Sequence, residues 1–340
     1  MIRAAIVGLG RWGRNLVDAV RQSESIRFTT AHSRTAATAA DFCRDHGLRW
    51  VDNLDAILLD SAIDAVVFAT PHTLHAEQIL RAAAAGKAVF VEKPFTLSVA
   101  DAKAAIAAAE RSGIVLAVGF NRRFHPSMGL LRRAVKEQRL GTIVTISAEQ
   151  TALHGLAMTP DAWRAQAGES PGGAMTAIGV HLVDGMIDLI GRVDTVYCRV
   201  TRRAVSFSDD TTDIVLNFAN GATGHIFCSV AATPNYRMAI YGTKAFAEIV
   251  GHPMQVFRLL PALDHAQIRT GNPEVTETVG FNMLTAELEA FAASISSRSP
   301  FPTPLSDILH GVEVFEAVLR SAASGRAERV QPHRRITNPS

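Results

Sequence analysis

Gly8, Gly10 and Gly13 stand in the run Gly8-Leu9-Gly10-Arg11-Trp12-Gly13, directly behind the apolar stretch Ala4–Val7. Glycine at these three spacings does what no side chain allows. The first permits a tight turn, the second lets an anion reach the main chain, and the third lets a new helix lie close on the strand. A helix starting there presents unpaired N–H groups and a partial positive charge, which suits a pyrophosphate. Arg11 and Trp12 ride on the same turn. The bland reading is a tight structural turn. The apolar strand before it and the helical pattern Asn15–Gln22 after it favour a dinucleotide site.

Further along, Val89-Phe90-Val91-Glu92-Lys93-Pro94 places a charged pair at the end of a buried strand. In open α/β sheets that edge is where ligands bind, so the Lys93 ammonium is expected to face a nicotinamide ribose and a substrate oxygen. The alternative is a Glu–Lys pair capping a strand. In Gly119–Pro126, Arg122 or Arg123 can contact a phosphate or a substrate hydroxyl, or can simply form a basic linker. The run Gly172–Asp184 reads as a loop entering a helix, with His181 and Asp184 three apart on one face. An imidazole beside a carboxylate can act as a general acid/base or a hydroxyl clamp, or can be a satisfied core histidine. At the end of the second strand, Ala31-His32-Ser33-Arg34-Thr35 lacks the carboxylate that holds a ribose 2′-hydroxyl in NAD sites. Ser33 and Arg34 suit a 2′-phosphate instead, so NADP is expected to be preferred, with NAD possible.

These residues need a frame. Strand-like runs at Ala4–Val7, Arg27–Ala31, Ala65–Ala69, Ala88–Val91 and Val115–Val118 alternate with helical patterns at Ala36–His46, Leu74–Ala85 and Val99–Arg111. That is a succession of βαβ units, hence a doubly wound parallel sheet. After a hinge-like Asn121–Pro126 the texture changes. A helix at Ser127–Gln138 leads to alternating strands at Thr142–Ala148, Thr195–Val205, Thr212–Phe218, His225–Val230, Arg237–Tyr241 and Ala245–Val250. Helices at Asn282–Ser296 and Leu305–Ala323 follow, and the tail from Gln331 is polar and reads as frayed. The expectation is an α/β chain. Residues 1–122 form a dinucleotide-binding Rossmann domain, and residues 123–340 form an α/β substrate and oligomerisation domain with an open, mostly antiparallel sheet.

At 340 residues and a formal charge of +2, no global field argues for nucleic acid or an anionic membrane. The three cysteines lie far apart without metal-ligand spacing, so no metal site is expected, and thiols in a cytoplasmic protein are. No apolar run approaches the ~20 residues a membrane span needs.

Taken in order, the glycine turn, Pro71-His72-Thr73-Leu74-His75-Ala76, Glu92-Lys93-Pro94, Gly119–Pro126, Gly172–Asp184 and the Leu305–Gly325 helix resemble the Gfo/Idh/MocA family of NAD(P)-dependent oxidoreductases. The resemblance implies hydride transfer between a nicotinamide and a carbon bearing a hydroxyl or carbonyl, typically on a sugar, inositol or related ring. It also implies a homo-oligomer formed through the open sheet. It makes Lys93 the residue that orients cofactor and substrate, and His181 the acid/base. The cofactor set extends to Thr70, Pro71, His75 and Glu92, and the substrate set to Arg122, Arg123, Thr176 and His181. Trp163 and Arg164 of the Leu153–Pro171 loop are further pocket candidates, with His154. Two positions depart from the family pattern. Ala177 stands where an Asp usually precedes the His by four residues, and His72 stands where an Asn is common. Asp184 is the substitute carboxylate, or Lys93 carries the proton itself, its pKa lowered by burial and a positive nicotinamide. Other readings of the fold are a nucleotide-sensing regulator without turnover, and an enzyme using tightly held NAD for internal redox.

Overall fold

The computed structural model describes residues 1–264 and 269–330, so the expectation for the tail from Gln331 lies outside the described residues. The chain divides into two compact units. The first comprises residues 1–129 and 278–309, the second residues 130–277 and those from 310 onward.

Six parallel strands build the first unit. In chain order they and their crossovers are β1 (Ile2–Val7), α1 (Arg11–Ala19), β2 (Ile26–His32), α2 (Ala36–His46), β3 (Arg49–Val51), α3 (Asp55–Leu58), β4 (Ala65–Phe68), α4 (His75–Ala84), β5 (Ala88–Val91), α5 (Val99–Ser112) and β6 (Leu116–Val118). The strand order β3-β2-β1-β4-β5-β6 is doubly wound and reverses between β1 and β4. Such a switch point opens a crevice at the carboxyl ends of the strands. The local signals explain the element ends. Ser98 caps α5 by accepting the Asp101 N–H at 3.1 Å, and Gly113 ends it at φ +64°.

The second unit takes in most of α6 (Pro126–Lys136), then β7 (Ile143–Thr151), α7 (Val180–Ile190), β8 (Val193–Thr201), β9 (Thr211–Phe218), β10 (Thr223–Ser229), β11 (Asn235–Gly242), β12 (Ala245–Val250), β13 (Val256–Asp264), β14 (Arg269–Thr270) and β15 (Glu274–Glu277). The chain continues through α8 (Met283–Ser297) and α9 (Leu305–Ser324) to β16 (Glu328–Arg329). The sheet runs β14-β13-β12-β11-β7-β10-β9-β8-β16, with β15 beside β13. Among the described residues, every pairing in this sheet is antiparallel except β7 with β10. Helix α7 packs against β7, and α9 is bonded to β8 through Ser321, whose hydroxyl accepts the Cys198 N–H at 2.9 Å. The opposite face carries Tyr197, Val215, Phe227 and Tyr241, all more than a third exposed. Burial alternates along β9 and β10, as in a sheet covered on one side.

The packing departs from the contiguous division expected at 122/123, because α8 belongs to the first unit. Its Leu288, Phe291 and Ala292 are buried in one core with Ile6, Phe90 and Ala117. The Phe90 and Phe291 rings meet edge-on at 5.7 Å. Full burial of a Leu or Phe side chain contributes roughly 1.5–3 kcal/mol, enough to fix the helix there. Smaller differences are local. Helix α1 starts at Arg11 rather than Asn15, a 3-10 turn His72–Leu74 precedes α4, and β8 ends at Thr201.

Candidate active site

Around the glycine turn, backbone geometry explains each residue type. Gly8 has φ +100°, and a Cβ on it would stand 2.5 Å from the Ala69 carbonyl oxygen. A Cβ on Gly13 would stand 1.9 Å from the Gly8 carbonyl oxygen, so α1 can lie against the turn only with glycine there. Gly10 differs: it is the extended N-cap of α1, without a side-chain cap, and a Cβ there would meet nothing within 4 Å. The first helical bond runs from the Arg14 N–H to the Gly10 carbonyl, 3.1 Å. The N–H groups of Arg11, Trp12 and Gly13 therefore have no carbonyl within the helix to bond. An open space facing three N–H groups at a helix start fits a dinucleotide pyrophosphate. The Trp12 ring packs against the hydrophobic core, so what Trp12 offers at the turn is its main chain.

Adjacent strand ends carry the next residues. Lys93 is half-buried and lies two residues past β5, the strand paired with β4. Thr70 and Pro71 follow β4, and the Thr70 hydroxyl donates to Gln78 Oε1 at 2.6 Å. His75 is fully buried: its Nδ1 lies 2.9 Å from the Pro94 carbonyl and its Nε2 3.2 Å from the Thr70 carbonyl. It binds protein backbone, which corrects the expectation of a direct cofactor contact. Glu92 is corrected likewise. It is buried, its Oε2 accepts the Lys93 N–H at 3.3 Å, and its Oε1 lies 2.9 Å from where a Gly119 Cβ would stand. The carboxyl is turned toward β6.

Beside it is a residue the sequence reading missed. Glu287 of α8 is fully buried, and neither carboxyl oxygen has a hydrogen-bond partner among the described residues. Burial, and after it the negative charge of Glu92, push the Glu287 carboxyl well above its ordinary range. A signal was present: Leu284, Glu287, Leu288, Phe291 and Ile295 share the spacing of one helix face.

At the end of β2, Arg34 is exposed and the Ser33 hydroxyl donates to the Thr35 carbonyl at 3.4 Å. Arg14 closes the same region, donating to the Leu9 and Thr38 carbonyls with its guanidinium 5.1 Å from the Phe42 ring centre. In the 3-10 turn Asn121–Phe124, Arg122 is half-buried, whereas Arg123 is buried and pairs with Asp307 at 3.1 Å. That commitment removes Arg123 from the substrate set.

In the second unit, His181 and Asp184 are both buried on α7, three residues apart as expected. A π-helical turn, Met175–Gly179, leads into α7. It contains Ala177 and ends two residues before His181, so their four-residue separation is not one ordinary helical turn. Single π turns are frequent at functional sites. Thr176 is buried within it, and its hydroxyl donates to the Pro171 carbonyl. Upstream, Gly173 at φ +50° sits where a Cβ would stand 1.9 Å from the Asp209 carbonyl oxygen. The loop carrying Asp209 is tied down by buried Asp210, whose Oδ2 accepts the N–H groups of Arg203, Ala204 and Val205 at 2.9, 2.6 and 2.8 Å. Burial alone would raise the Asp210 carboxyl; these N–H groups and the Thr211 hydroxyl outweigh it and hold it low. Trp163 and Arg164 stack on each other at 4.0 Å. Cys198 and Cys228 are pushed up to about 12 by burial, so they are inert thiols.

The chain matches the oxidoreductase family with an NAD-binding Rossmann fold over residues 2–120, and the C-terminal domain of the same family over residues 129–248. It belongs to the GFO/IDH/MocA family. As a member of this family it is an NAD(P)-dependent oxidoreductase. It is 28% identical to inositol 2-dehydrogenase of Rhizobium meliloti, over 96% of this chain and 98% of the relative. Its fold is that of levoglucosan dehydrogenase in complex with NADH and levoglucosan, with a TM-score of 0.87 and 22% identity over 97% and 100% of the two chains. Aldose-aldose oxidoreductase from Caulobacter crescentus, complexed with glycerol, superposes with a TM-score of 0.86 at 25% identity, over 96% and 99%. No helix among the described residues is long and apolar enough to cross a membrane.

Proposed function

We propose that this GFO/IDH/MocA member is a dehydrogenase of a sugar, an inositol or a related cyclic alcohol, preferring NADP and accepting NAD. The observation that carries the reading is Lys93, half-buried at the carboxyl end of β5 in the same sheet whose switch point holds the glycine turn. The bound nicotinamide supplies the hydride acceptor or donor. Lys93 Nζ holds the substrate oxygen by hydrogen bond and charge, and the His181 imidazole takes or returns the hydroxyl proton. Asp184, on the same helix, orients that imidazole in place of the family carboxylate that Ala177 lacks. Arg34 and Ser33 receive the 2′-phosphate, which supports NADP, because no carboxylate stands there to favour a 2′-hydroxyl. The inositol 2-dehydrogenase relative supports the ring-alcohol class.

Nicotinamide absorbance over a panel of inositols, sugars, sugar acids and cyclic diols, with NADP and NAD, tests the reading. Turnover is expected with the native chain, and Lys93→Ala is expected to lose on the order of 10²-fold or more. Full activity in that variant would remove Lys93 from the mechanism. Nucleotide binding without turnover across the panel would return the chain to a sensing role.

The reading extends to assembly and place. The exposed Tyr197, Val215, Phe227 and Tyr241 form an apolar face, which a second copy of the chain covers. Light scattering should then report a multiple of 36.5 kDa, lowered by Phe227→Asp; a monomer at micromolar concentration overturns this. The reducing cytoplasm suits its thiols.

A further inference from the structure

His75 touches two backbone carbonyls, one with each ring nitrogen, at 2.9 and 3.2 Å, from a fully buried position. Carbonyl oxygens only accept, and a neutral imidazole has a single N–H. Both contacts are hydrogen bonds only when both ring nitrogens carry hydrogen. The two carbonyls belong to Thr70, after β4, and Pro94, after β5. The Thr70 segment in turn abuts the glycine turn, since a Gly8 Cβ would lie 3.2 Å from the Thr70 nitrogen. Three strand ends at the switch point are thus linked in sequence: β1 through Gly8, β4 through Thr70, β5 through Pro94.

We propose that His75 is a positioning residue, a doubly protonated clamp that fixes the β4 and β5 strand ends and so places Lys93 and the main chain facing the dinucleotide. His72, on the preceding turn, meets the His75 ring edge-on at 5.8 Å between ring centres. Glu92 and Lys93 lie just before Pro94 on the β5 end, with the Glu92 carboxyl turned toward Gly119 after β6. On α4, Glu77 is exposed, and on α5, Asp101 is exposed and Lys103 half-buried. A preorganised pair of loops lowers the ordering cost of binding, so the clamp acts on affinity for dinucleotide as well as on the placement of Lys93. The inference rests on the dinucleotide-binding reading of this edge, and its test needs no turnover.

Long-range proton–nitrogen NMR of the full chain labelled at histidine reads both ring nitrogens of His75, assigned by the signal missing from His75→Gln. Both are expected to be protonated at pH 7. Fluorescence titration with NADH is the second readout. His75→Phe keeps a ring without donors and should weaken NADH binding on the order of tenfold or more. His75→Gln, whose amide NH2 has two donors, should recover most of that loss. A ring nitrogen without hydrogen at pH 7, or wild-type NADH affinity in His75→Phe, overturns the clamp. If His75→Phe does not fold, the wild-type spectrum decides alone. A doubly protonated ring and intact NADH binding in a chain with no turnover would refute the dehydrogenase reading and leave the clamp standing.

Discussion

Replacing Glu287 by Gln tests the buried carboxyl pair directly. The ordinary value for this carboxyl is 4.5, and burial beside Glu92 keeps it protonated in the folded chain well above that. In the unfolded chain Glu287 ionises normally, so folding at higher pH must return a proton to it. A raised folded-state pKa means that the stability tied to protonation is full below about 4.5 and is lost as pH climbs toward the folded value. That loss is about 1.4 kcal/mol per pH unit while the native group stays neutral. Glutamine has the same shape and carries no titrating group. The stability of Glu287→Gln relative to the native chain should therefore rise with pH above the ordinary carboxylate range, by about 1.4 kcal/mol per pH unit, until the folded carboxyl itself ionises. Trp12 and Trp50 report the first unit; with Trp163→Phe in both proteins, urea unfolding followed by fluorescence isolates it. Parallel stability profiles of the two proteins from pH 5 to 7 would show that Glu287 titrates alike folded and unfolded, and the buried-pair reasoning would fail.

Gly13→Ala places a methyl group 1.9 Å from the Gly8 carbonyl oxygen; thermal unfolding and NADH titration should show a loss of about 2–3 kcal/mol in stability together with weakened binding, and unchanged behaviour would contradict the packing role. Arg34→Ala should weaken NADPH on the order of tenfold while sparing NADH, and equal losses would mean that Arg34 does not read the 2′-phosphate. For Asp184→Asn, kcat should fall roughly 10²-fold with the unfolding midpoint unmoved; a neutral result assigns Asp184 to the core. Asp210→Asn removes the charge that three backbone N–H groups share and should cost the second unit about 1.5–3 kcal/mol at pH 7. Because its carboxyl is held low, that stability is present above the usual carboxylate range and lost as pH falls through it, so native and variant chains should converge in acid.

The parallel sheet was legible because its strands are buried on both faces and spaced by single helices, so β1, β2, β4, β5 and β6 stand out as apolar runs. The three-residue β3 is too short to carry a period. Strands β13 to β16 lie near the edges of the second sheet, where exposed polar residues such as Glu274–Glu277 blur the alternation. The parallel β7–β10 pairing joins segments 70 residues and more apart, which no local pattern records. At the site, glycine spacing and Lys93 were readable because backbone approach and strand-end position leave marks in residue type. Arg123 was not: its partner Asp307 is 184 positions away. His75 looked like a ligand residue because its two acceptors are carbonyls, which every residue supplies and no sequence distinguishes.

The return of α8 to the first unit has a consequence for how the chain is made. Synthesis delivers β1 to β6 early, yet Leu288, Phe291, Ala292 and Phe301 of the same core are still unmade when β6 is complete. The nascent sheet must wait, its Phe90 side uncovered, while residues 130–277 of the second unit emerge from the ribosome. Domains that close only late expose apolar surface for the time it takes to add those residues, and that interval is where chaperones act and aggregation begins. A fragment stopped at residue 129 would remain in that state permanently, so dividing this protein for expression means keeping residues 278–309 with the first unit.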